Sequence, residues 1–173
     1  METLMRLTPI ALSVAIALAT MASAGHSQRP DDQIDARSVA LLQQGQAQTA
    51  SGQYDAAIDS LESSLAVDPR NRGAYVALAR VAQAQKLPGK AIKLYGEALV
   101  VEPNDVTALA GQGEALMQRG AVERAKRNLE KIKTVCKNPC PQATTLAAVI
   151  AKGPPAEAIA ARTQETPPTP AKN

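Results

Sequence analysis

The sequence predicts an all-α protein, with about three tandem helix–turn–helix units wound into a short right-handed solenoid and closed by a C-terminal capping helix. Three observations carry this prediction. Residues recur at a spacing of 34: Pro69 with Pro103, Ala57 with Ala91 and Ala125, Ile58 with Ile92, Leu65 with Leu99, and Val67 with Val101. A period of this length fits one pair of helices stacked on the next. Helix-stopping residues also fall at matching places, a turn within each period and a Pro-containing stop at the end of the first two. Finally, there is no Phe or Trp, and Tyr54, Tyr75 and Tyr95 are the only aromatic residues. The core must then be Ala, Leu, Ile and Val, which suits helices packed with close axes.

Taken in order, residues 1–24 read as a secretory signal peptide. Arg6 precedes an apolar run from Leu7 to Ala22, and Ala22-Ser23-Ala24 puts small residues at positions −3 and −1 of a cut. Cleavage after Ala24 is expected, with an uncleaved anchor or a nearby cut as the alternative. The run is shorter than the roughly 20 residues of a membrane-spanning helix, so no stable span is expected once the signal is removed. No Cys stands at the cut, which argues against a lipid anchor. A periplasmic or secreted protein follows, with Cys136 and Cys140 in an oxidising compartment.

Residues 25–37 form a flexible lead and the start of the first helix. The three units are 38–71, 72–105 and 106–137. Ser51-Gly52, Leu87-Pro88-Gly89 and Gly120 mark their internal turns, because Gly accepts the left-handed conformation that ends a helix and Pro can begin one. Asp68-Pro69-Arg70-Asn71 and Glu102-Pro103-Asn104-Asp105 mark the stops, with Asn71 and Asp105 expected as N-caps. Gly45, Ala79 and Gly113 are small where the two helices of a unit must cross, opposite Ala57, Ala91 and Ala125. Residues 138–153 hold the Cys turn and a helix over Gln142 to Lys152, with Leu146, Val149 and Ile150 on one face. Stacked units leave their last apolar face open, and this helix is expected to cap it. Residues 154–173 are rich in Pro and Ala and mostly disordered, apart from a short helix over Ala156 to Arg162.

From Ser38 to Lys137 this pattern resembles the tetratricopeptide repeat. The second unit matches best, through Tyr75, Leu78, Ala79, Ala91, Tyr95, Ala98 and Pro103. The first matches through Leu41, Gly45, Ala57, Leu61, Ser64 and Pro69, and the third through Leu109, Gly113, Leu116, Ala125, Leu129 and Ile132. The usual Trp is absent, Gln44 and Gln112 stand for a Leu, Gln48 stands for an aromatic residue, and Lys137 replaces the third terminal Pro. The resemblance implies that first helices line a concave groove holding another protein or peptide. Its register puts Leu42, Gln46, Thr49, Val76, Arg80, Gln83, Ala110, Glu114 and Met117 in that groove. The basic cluster with which some members of the family clamp a terminal carboxylate is absent.

Chemistry finds little footing. His26, the only His, lies outside the expected fold, so no nucleophile has a positioned base. Gly111-Gln112-Gly113 lies inside a helix and reads as crossing residues, not a phosphate loop. Acidic residues lack the spacing of a calcium loop, and Cys136 and Cys140 lack further zinc ligands. No catalytic residue, metal or cofactor is expected. The cysteine pair reads as a structural disulfide pinning the cap, with redox activity or free thiols as alternatives; Cys136 at a helix C-terminus is poorly placed for a thiolate. Arg119, Arg124, Lys126, Arg127, Lys131, Lys133 and Lys137 crowd one helix against Glu123 and Glu130. That face is either merely solvated or a contact for an acidic partner or an anionic membrane surface, in which case salt would weaken it. Mild net charge, +3, and scarce aromatics argue against nucleic acid.

The expected function is a periplasmic adaptor or scaffold for protein–protein contacts in envelope complexes. Exported proteins with this repeat serve outer-membrane assembly, pilus or secretion machinery, cell division and cytochrome maturation, and the residues do not choose among these. The alternatives are a thiol–disulfide or cytochrome-maturation factor using the Cys pair, and a self-assembling protein or enzyme subunit.

Overall fold

Eight helices follow one another in the computed structural model, which describes residues 33–138 and 140–165, with side chains to Ala160. The expected signal segment 1–24, His26, the rest of the lead to residue 32 and residues 166–173 lie outside the described residues. The helices are α1 Ala36–Ala50, α2 Tyr54–Val67, α3 Arg72–Ala84, α4 Pro88–Val101, α5 Val106–Gln118, α6 Val122–Val135, α7 Pro141–Lys152 and α8 Ala156–Glu165. No strand occurs among the described residues, and none of their helices is long and apolar enough to cross a membrane. Consecutive helices pack antiparallel in pairs, α1 with α2, α3 with α4 and α5 with α6, and each pair stacks on the next. Helix α7 packs on both α5 and α6. The last helix, α8, runs three residues beyond the predicted Arg162.

Each first helix ends in the same turn. Gly52 and Gly120 have φ of 74° and 70°, and the residue 34 positions from each, Lys86, has φ of 59°. The N–H after it donates to a carbonyl five residues back: Gln53 to Gln48, Leu87 to Ala82, and Ala121 to Leu116. Gly89, expected to turn the second unit, lies inside α4 without a positive φ. The left-handed site falls on Lys86 because the register, not the position of the nearest Gly, sets where the helix must reverse. An L-residue is strained there. Lys86→Gly is therefore expected to raise unfolding free energy by about 1 kcal/mol. Urea denaturation measures this, and an unchanged or lower midpoint would show that Lys86 carries no strain.

The stops tie the end of each helix pair back to its own beginning through polar contacts of nearly one period. Asp35 N–H donates to Asp68 Oδ2 at 3.0 Å. Asn71 Nδ2 donates to Ser38 Oγ at 2.8 Å and Ser64 Oγ at 3.1 Å, all three residues being buried. One unit on, the Arg72 guanidinium meets the Asp105 carboxylate. Asp105 caps α5 as predicted, accepting from Thr107 N–H at 2.7 Å and Ala108 N–H at 2.8 Å. Asn71 also stands at the predicted N-cap, of α3, but its side chain makes no capping hydrogen bond. Its amide donates inward to the two serine hydroxyls, which would otherwise be buried beside an unused donor. The Arg70 side chain, and then the Asp35 N–H, hold the Asp68 carboxyl down at about 2.

Small residues let the layers close. A Cβ on Gly45 would strike Leu61 of α2, so α1 and α2 cross there. At the equivalent Gly113 the side chain in the way belongs to Leu146 of α7, which is fully buried. Leu146 joins Leu109, Ala110, Leu129 and Ile132 in the core that seals the end of the array.

Candidate functional site

The cap does more than seal. A cavity of about 360 Å3 opens where α3, α4, α5 and α7 meet. Arg80 and Gln83 of α3, Tyr95 of α4, Thr107, Ala110, Gly111 and Glu114 of α5, and Pro141, Gln142 and Thr145 of α7 line it. Pro141 and Thr145 stand 34 residues after Thr107 and Gly111. Helix α7 therefore presents to the cavity the positions that a fourth first helix would present.

Tyr95 builds the floor. Its ring lies over Gly111, where a Cβ would collide with it. Its hydroxyl donates to Gln83 Oε1 at 2.7 Å. Burial pushes the phenol up to about 12; Glu114 adds to the shift and Arg80 opposes it. Burial likewise raises the Glu114 carboxyl, and Arg80 pulls it back. The cavity thus offers a cation and a carboxylate on successive first helices, with amide and hydroxyl groups around them. Such a lining can orient a polypeptide through its backbone and one or two charges.

Of the residues expected in the groove, Arg80, Gln83, Ala110 and Glu114 line this cavity and the other five do not. Met117 is 1% exposed, packed with Leu116 and Ala125 against Val149 and Ile150 of α7. Val76 is buried with Ala79 and Tyr95. These two are core residues rather than groove residues, because a helix packs over each. Ala110 is also buried and only borders the opening. Leu42 is half-buried and packs on Gly73 of α3. Gln46 is exposed, and Thr49 Oγ1 donates back to Gly45 O at 2.8 Å. Tyr95, Thr107, Gly111 and the α7 residues were not expected at the site. Extending the period into residues 140–146 would have found the last of these.

Gln112, an outlier from the repeat pattern, has a structural task. Its Nε2 donates to Ile92 O at 3.2 Å, and its Oε1 accepts from Asn128 Nδ2 at 3.0 Å. The amide joins α4 and α6 across α5, where Leu would only pack.

A second cleft, of about 530 Å3, lies between the end of α6 and α7. Cys136, Cys140, Ala143 and Ala147 make it apolar, with Lys133 and Lys137 on its rim. The Cα atoms of Cys136 and Cys140 are 6.2 Å apart and their sulfurs are in contact. Cys136 ends α6 and Cys140 precedes α7. No group of three His, Cys, Asp or Glu arranged for a metal occurs among the described residues.

Two family models described as tetratricopeptide repeat match residues 48–99 and 76–125. Among solved structures, the Sgt2 tetratricopeptide domain of Aspergillus fumigatus is 22% identical, with a TM-score of 0.63, covering 80% of this chain and 90% of that one. The first such domain of Spaghetti (RPAP3), solved bound to the HSP90 peptide SRMEEVD, is 22% identical with a TM-score of 0.62 and coverage of 70% and 96%. The second domain of human RPAP3, in complex with the HSP70 peptide SGPTIEEVD, is 21% identical with a TM-score of 0.61 and coverage of 66% and 95%. No curated protein matches the chain.

Proposed function

This chain is a tetratricopeptide repeat protein, and on that premise we propose that it is an adaptor that holds an extended segment of another protein against α3, α5 and α7. The observation that carries this reading is the juxtaposition of Arg80, Gln83 and Glu114 with Gln142 and Thr145 in one open cavity. The RPAP3 domains of the same fold are known with peptides bound. Here the opening is closed on one side by the cap, so the segment enters over α3 and ends against α7.

The proposal extends to place. An N-terminal signal in residues 1–24 would export the chain to the bacterial envelope, where the adaptor would serve assembly of a protein complex. There Cys136 and Cys140 would form a disulfide, stapling the end of α6 to the start of α7. Intact-mass analysis of protein from the envelope fraction tests both points. The expected species lacks residues 1–24 and does not react with thiol reagents until reduced. A full-length, freely alkylated species would overturn export and staple alike.

Crosslinking in cells tests the adaptor. The tagged wild-type chain should capture an envelope protein that a variant with Arg80 and Glu114 reversed does not. Equal capture by both would exclude this cavity as the interface.

A further inference from the structure

The outer surface carries an unbalanced pattern of charge. Helix α2 has Asp55, Asp59 and Glu62 and no Lys or Arg. Their spacing, i, i+4 and i+7, puts them in one stripe. Helix α6 has Arg124, Arg127 and Lys131 at i, i+3 and i+7, a stripe of the same length and opposite sign. All six side chains are exposed, and none makes an ion pair among the described residues. The acids of α6, Glu123 and Glu130, are taken up by Lys126 and Lys133 at 2.9 Å each. One register position shows the trend: Asp59, Lys93 and Arg127 are successive 34-residue equivalents, so the sign changes from the first unit to the later two.

Within one molecule the stripes cannot meet, because the α3–α4 pair stands between their helices. We propose that they meet between molecules, the acidic stripe of α2 in one copy against the basic stripe of α6 in the next. The two surfaces match in sign, in number of charges and in length, about 10 Å along each helix. The contact is heterologous, so each added copy leaves one stripe of each sign free, and assembly grows until a ring closes. Three facing pairs of exposed charges make it weak and strongly dependent on salt.

Sedimentation of the full chain tests this. At about 20 mM salt the average mass should rise with protein concentration, and about 300 mM salt should return it to the monomer. R124E/R127E/K131E leaves both stripes acidic, and D55K/D59K/E62K leaves both basic. Each variant alone should remain monomeric, with its helical circular dichroism retained. An equimolar mixture of the two should associate again at low salt, which damage to the fold would not produce. A wild type that stays monomeric at low salt, or a mixture that does not associate, overturns the proposal. So does association that persists in either variant alone.

Discussion

Replacing Leu146 with Ala is expected to lower the free energy of unfolding by about 2–5 kcal/mol, as for other fully buried leucines. Leu146 is 0% exposed and lies directly over Gly113, which has no side chain to fill the space left behind. The loss is also positional. This residue anchors α7 to Leu109, Leu129 and Ile132, and α7 is what closes the apolar face of the last pair. An uncapped end frays and exposes its neighbour, as in any array stabilised by nearest-neighbour contacts. Val100→Ala is the control: Val100 is 78% exposed on α4, and its truncation should stay within about 0.5 kcal/mol. Chemical denaturation of the two variants separates the outcomes. If Leu146→Ala behaves like Val100→Ala, α7 is not an integral cap. Because α7 also contributes Gln142 and Thr145 to the cavity, the same variant should bind a groove partner less tightly.

Reversing Arg80 and Glu114 together, Arg80→Glu with Glu114→Arg, is expected to weaken partner binding about a hundredfold with little change in melting temperature. The pair keeps its net charge, so the fold gains no uncompensated ion, but every charge complementary to the partner now meets its own sign. Reversed contacts of this kind in partly desolvated sites cost several kcal/mol. Single variants behave differently. Arg80→Glu would set two carboxylates in a cavity that already pushes Glu114 up by burial, so one would hold its proton to higher pH than in the wild type and the loss would ease as pH falls. Calorimetry with the captured partner, at two pH values, reads both effects. Undiminished affinity in the double variant would move the interface away from the cavity.

Much of this was legible in the residues. Pro69 and Pro103 mark the stops, Gly52 and Gly120 adopt the left-handed turn, and Asp105 caps α5. Each acts within a turn or so of its own position, so its meaning survives without knowledge of the fold. The Asn71 side chain, at the predicted N-cap position, and Gly89 departed from expectation for a related reason. Local chemistry makes Asn a cap and Gly89 a turn, but the buried hydroxyls of Ser38 and Ser64 claim the Asn71 amide, and the register moves the reversal to Lys86.

The site was legible only in half. Arg80 and Glu114 are polar on any face they occupy, and their spacing put both toward the opening. Met117 and Val76 looked equivalent by register and are core. What the sequence determined by itself is the number, order and phase of the helices, because period and stop signals are properties of the chain alone. Which parts of the first helices stay open was decided by tertiary structure. A position is groove or core only by virtue of the helix that packs over it, and α7 comes from beyond the last unit to cover one part of α5 while framing the rest.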